Sequence, residues 1–152
     1  MLPRVEYSVT VPVPVDVAFR AFQNLERLLH GGICEDVSWV EGEPWQVGSR
    51  LRYHFVRPIR TTVAAVVTSI HAPLSISLIN HAVGVTTEQN VTFAPDPRGG
   101  TRVRMTMDFV GKSTELSASA IHEALTFVTK NALDSVAALC KRRASSTRAT
   151  GK

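Results

Sequence analysis

The stretch from Thr114 to Arg143 constrains this chain most, because it reads as one long amphipathic helix for which the rest must supply a surface. A step of about 100° per residue gathers Ile121, Leu125, Val128, Ala132 and Leu139 on one face. Ser119, Glu123, Thr126, Lys130 and Lys141 fall on the other. The apolar face also carries Ala120, Ala124, Ala138, Ser117, Ser135 and Asn131. A helix that only fills a core would use larger side chains there. The pattern predicts a helix that roofs a pocket.

The surface comes from the preceding residues, which alternate as short strands. Segments 4–11, 35–42, 49–57, 60–71, 74–82, 85–94 and 101–110 have strand character. Pro12 and Pro14 end the first, and Pro14 suits the first turn of a helix through about Phe22. A second short helix is expected from Asn24, as N-cap, to His30, before Gly31-Gly32 breaks the chain. Arg57-Pro58, Ala72-Pro73, Val83-Gly84 and Asp96-Pro97-Arg98-Gly99-Gly100 mark turns between strands. Short links imply antiparallel pairing, since parallel strands need long crossovers. Val103, Met105, Met107 and Phe109 alternate with Arg102, Arg104, Thr106 and Asp108, so one face is covered and the other wet. By the same phase Leu51, Tyr53 and Phe55 turn inward, and so do Gln89, Val91 and Phe93. Ser113 or Thr114 would cap the long helix, with Glu115 in its first turn.

Charge and cysteine usage narrow the classes. The net charge is +4, yet Lys141, Arg142, Arg143, Arg148 and Lys152 all lie at the C-terminal end, and without these five the remainder would carry −1. No nucleic-acid surface is therefore expected on the body. The expected organisation is one domain over 1–143 and a basic, disordered tail over 144–152, the only part suited to RNA or an anionic membrane. No apolar run reaches the roughly 20 residues a membrane span needs, and no signal-peptide core precedes the first strand, so a cytoplasmic protein is expected. Cys34 and Cys140 have no metal-type spacing and read as ordinary thiols. Nothing implies a metal or cofactor, and either a monomer or a homodimer is compatible.

The order strand, two short helices, six strands, long helix is the α+β helix-grip arrangement. Val11-Pro12-Val13-Pro14-Val15-Asp16-Val17-Ala18-Phe19, Glu43-Pro44-Trp45-Gln46-Val47-Gly48-Ser49-Arg50 and Gly99-Gly100-Thr101-Arg102-Val103 are similar to segments of the START-related superfamily (often called SRPBCC). That superfamily includes polyketide cyclases, pollen allergens and coenzyme Q-binding proteins. The resemblance implies a curved seven-stranded antiparallel sheet gripping the long helix, with a cavity for a lipid, quinone, hormone, flavonoid or polyketide. Some members cyclise or dehydrate polyketides and others only carry a ligand. No catalytic signature is shared across them, so no catalytic residue carries over.

The residues themselves nominate a binding site. Aromatic and polarizable walls would come from Trp39, Tyr53, Phe55, Met105 and Met107. The helix would contribute Ala124 and Val128, with Ser117 and Asn131 as polar anchors, and Gln89, with Thr87 one step away, would face them from the sheet. His30, His54, His71, His81 and His122 form no metal-spaced pair. His54 and His122 fall on outer faces, and Leu74, Ile76, Leu78 and Asn80 compete with His81 for the inner one. Three functions remain open: a carrier of a small hydrophobic molecule, a cyclase or dehydratase in which Tyr53, Gln89, His81 or Asn131 orients a poly-ketone, and a module that binds a partner through the groove or tail.

Overall fold

The computed structural model describes residues 4–82, 84–112 and 117–150. Among them the order is β1 (Val5–Val11), α1 (Val15–Phe22), α2 (Leu25–Leu29), β2 (Cys34–Glu41), β3 (Arg50–Phe55), β4 (Thr61–His71), β5 (Ser75–Ala82), β6 (Val85–Pro95), β7 (Thr101–Lys112) and α3 (Ala118–Thr150). The strands make one sheet in the order β1-β7-β6-β5-β4-β3-β2, antiparallel at every pairing. Its edges, β1 and β2, are bridged in sequence by α1 and α2, and α3 lies across the inner face. This is the helix-grip arrangement.

Alternation places most of the inner face as the sequence predicts, although on β7 Thr106, expected on the wet face, is buried and Phe109, expected on the covered face, is only half-buried. Leu51, Tyr53 and Phe55 are buried on β3, Gln89, Val91 and Phe93 on β6, and Val103, Met105 and Met107 on β7. Arg102 and Arg104 face water, where Arg104 pairs with Glu6 at 2.9 Å. His81 is exposed, its Nδ1 3.2 Å from the Thr86 hydroxyl, so Ile76, Leu78 and Asn80 hold the inner face of β5 and Leu74 does not join them. The turn into β7 passes close to the end of β1. Gly100 has φ +80°, and a Cβ there would strike the Val11 carbonyl. The Thr101 hydroxyl donates to the Val13 carbonyl at 2.8 Å within this contact.

The helix ends differ in detail from expectation. Pro14 is the residue before α1, and its carbonyl accepts from the Val17 and Ala18 amides. Asn24 occupies the N-cap of α2, but its side chain donates to the Arg20 carbonyl instead and closes α1. The expected cap at Ser113 or Thr114, with Glu115, lies outside the described residues, as does Val83 of the hairpin tip. Ser117 caps α3, its Oγ accepting from the Ala120 amide at 3.1 Å. At the other end α3 runs through Thr150, beyond the Arg143 expected from the sequence. No glycine or proline interrupts the sequence before Gly151, and Arg and Ala are good helix formers.

The buried stripe of α3 also drifts. Its first half turns Ile121 and Ala132 inward as predicted, but the second half buries Leu133, Val136, Ala137 and Cys140, while Ala138 is exposed and Leu139 only half-buried. A second partner accompanies the change: the helix packs against α1 and α2 as well as β1. In the core on that side aromatic rings pack together, edge-to-face except for the tilted Phe22–Trp45 pair. Phe19 meets Phe93 at 5.2 Å, Phe22 meets Phe93 at 6.1 Å and Trp45 at 5.7 Å, and Trp45 meets Trp39 at 5.1 Å.

Candidate functional site

The aromatic packing stops short of the first half of α3, and a cavity of about 450 Å³ opens there between helix and sheet. Leu25 and Leu29 of α2 wall off the packed end. Tyr53 and Phe55, with rings 5.5 Å apart and nearly parallel, line one side from β3, and Met105 and Met107 line the other from β7. Ile121, Ala124, Leu125, Val128 and Ala132 form the roof. The small Ala124 and Ala132 leave the volume that larger residues would fill. At the mouth stand Ile59 of the β3–β4 loop, 50% exposed, and Phe127 of α3, 42% exposed.

Seven of the ten residues nominated from sequence line this space: Tyr53, Phe55, Gln89, Met105, Met107, Ala124 and Val128. Three do not. Trp39 has the inward phase, pairing across from Leu51, but sits at the packed end against Trp45, and its Nε1 donates to Glu26 at 2.5 Å. Ser117 is exposed and spent on the helix cap. Asn131 is half-buried outside the lining, because it lies about 100° around the helix from Ala132. Ala120, exposed on α3, reaches the mouth, whereas Ser135 does not touch the cavity.

The polar groups inside are few and come mostly from the sheet floor. Asn80, Thr87 and Gln89 are buried there on adjacent strands, with Asn80 paired across from Thr87. Asn80 Nδ2 donates to Gln89 Oε1 at 2.9 Å, and Gln89 Nε2 donates to the Met105 sulfur at 2.8 Å. Thr129 faces them from α3, fully buried, and its hydroxyl has no hydrogen-bond partner among the described residues. Burial, aided by Cys34 and Glu26, raises the Tyr53 phenol above its ordinary range and keeps it neutral. Glu123, exposed at the mouth, is the one charged residue of the lining among those described.

Asn80 and Thr129 were absent from the nominated set although the signal for both was present. Asn80 is in phase with Ile76 and Leu78, and Thr129 lies one turn from both Leu125 and Ala132. Both are short polar residues on apolar faces, which reads as ordinary core until a cavity beside them is known. Cys34 and Cys140 are free and buried away from the cavity lining, and burial pushes the Cys34 thiol up to about 12, which disfavours a nucleophile. Among the described residues no His, Cys, Asp and Glu group is arranged to hold a metal, and no helix is long and apolar enough to cross a membrane.

A family model described as polyketide cyclase / dehydrase and lipid transport matches residues 3–144. The chain belongs to that family. The fold agrees with solved structures of low identity. Ara h 8.0201 is similar at 14% identity and TM-score 0.74, over 92% of this chain and 98% of that one. The Zhui aromatase/cyclase from a Streptomyces species is similar at 20% identity and TM-score 0.74, over 95% of this chain and 96% of that one. A START superfamily protein from Mycobacterium smegmatis shares 10% identity at TM-score 0.72, over 90% of this chain and 96% of that one. No curated protein sequence matches this chain. Family membership places the chain in the START/SRPBCC group and supports a hydrophobic-ligand or cyclase-like role, without choosing between them.

Proposed function

We propose that this protein binds a small hydrophobic molecule, aromatic, polyketide or lipid-like, in the cavity under the first half of α3. The observation that carries the reading is a 450 Å³ space walled almost wholly by apolar side chains and furnished with a short row of amides and hydroxyls. That volume falls in the range of small-molecule sites, about 300–1,000 Å³. Burial of apolar ligand surface supplies the driving force, about 25 cal/mol per Å² before the costs of association. The test is an equilibrium titration of purified protein with a panel of neutral apolar fluorophores. Saturable one-to-one binding is expected, and a panel with no saturable binder would sink the proposal.

A second reading, a cyclase-type enzyme, is favoured by the similarity to the Streptomyces aromatase/cyclase. Such an enzyme would have to orient a poly-ketone with Tyr53, Asn80 and Gln89, since His81 and Asn131 lie outside the lining. Turnover of a linear poly-ketone that is lost in both Tyr53→Phe and Gln89→Leu would establish it. Binding without turnover leaves the carrier reading in place.

A further inference from the structure

The amides on the cavity floor have a fixed sense. A thioether sulfur carries lone pairs and no hydrogen, so the end of Gln89 that meets Met105 Sδ at 2.8 Å is the NH₂ end. The carbonyl end of Gln89 then faces Asn80 and can only accept, so Asn80 presents its NH₂ group at 2.9 Å. The sulfur thereby sets the direction of the whole row, and neither amide can flip independently.

What remains at the end of the row is the Asn80 carbonyl oxygen. It accepts no hydrogen bond among the described residues. It is not sealed off either, because the Thr129 hydroxyl is the one fully buried side-chain polar atom without a partner among them. Asn80 is only 7% exposed and lines the cavity, so its oxygen opens onto that space. The Tyr53 and Thr87 hydroxyls line the same space and can give or receive a hydrogen bond. No cation stands on the wall among the described residues, and the one charge, Glu123, is negative. Burial already disfavours a charged Tyr53, and a ligand carboxylate would meet the same low-dielectric wall.

We infer that the ligand is a neutral molecule bearing a hydroxyl group, a phenol or alcohol, that donates its hydrogen to the Asn80 carbonyl oxygen. The inference rests on the ligand-binding reading above. It excludes carboxylates and ranks a phenol or alcohol above the matching ether, which brings no hydrogen to that oxygen.

Three probes of similar size separate the cases by calorimetric titration at neutral pH: β-naphthol, its methyl ether and β-naphthoate. The wild type should bind the naphthol about 5–10-fold more tightly than the ether, the worth of one net hydrogen bond. The naphthoate should bind at least about 100-fold more weakly than the naphthol, because its charge is desolvated without a cation. Asn80→Leu should abolish the preference for naphthol over ether while the ether still binds. Met105→Leu, which removes the sulfur that orients the row, should narrow the same gap and serves if the Asn80 variant does not fold. Equal binding of naphthol and ether by the wild type, or tightest binding of the naphthoate, overturns the inference and leaves the cavity reading standing. Failure of all three probes to bind overturns the cavity reading itself.

Discussion

Ala124→Trp plugs the cavity from its roof. Ala124 is half-buried on α3 and lines the space, so an indole placed there can turn inward. A tryptophan side chain buries about 150–250 Å². If about 100 Å² of that enters the cavity, a ligand loses a comparable area of apolar contact, which at about 25 cal/mol per Å² is about 2.5 kcal/mol. That corresponds to about 60-fold weaker binding. The assay is titration of wild type and variant with the same neutral fluorophore, with far-UV circular dichroism to show that the fold is kept. The filled cavity should also leave the thermal midpoint unchanged or raised. A folded variant that binds the probe as tightly as wild type would refute the placement of the ligand under α3.

Other predictions follow from single groups. Thr129→Val replaces an unpartnered buried hydroxyl with a methyl of similar shape and should stabilise the protein by about 1 kcal/mol, read from urea denaturation. Gly100→Ala forces a Cβ onto the Val11 carbonyl at positive φ and should cost at least about 2 kcal/mol by the same assay; a neutral result would contradict the described β1–β7 contact. The folded chain holds the Cys34 and Tyr53 protons more tightly than the unfolded chain does, because burial raises both. Their contribution to stability is therefore complete below pH 9.0, the ordinary value of the thiol, and falls as pH rises from there toward about 12. Denaturation midpoints should drop across that window, and Cys34→Ala should make the drop shallower.

Period-two alternation and the prolines between segments were enough to read the fold, because each strand has one wet face and one covered face. Tyr53, Phe55, Gln89, Met105 and Met107 were legible for that reason: strand phase alone turns them inward. Position along the strand was not legible. Trp39 has the right phase and the wrong end, since nothing in its local sequence tells that Trp45 and Glu26 meet it. The helix shows a related limit. A single stripe describes its cavity half, but the helix also packs against α1 and α2, the buried face shifts toward Leu133 and Val136 in the other half, and Asn131 falls outside. Ser117 precedes α3 rather than lying within it, and as the cap residue its hydroxyl belongs to the backbone. The amide row was invisible because Asn80, Gln89 and Met105 lie on three different strands and meet only through register.

The central claim, a ligand held between α3 and the sheet floor, is tested most directly at the methionines. Met105 and Met107 are both buried on the cavity wall, and their methyl groups give sharp signals in carbon-labelled NMR spectra. Titration with a neutral apolar ligand such as β-naphthol should shift both resonances along saturable curves with one shared dissociation constant. A ligand that binds in calorimetry and leaves both methyl signals unmoved would place it elsewhere and contradict the account.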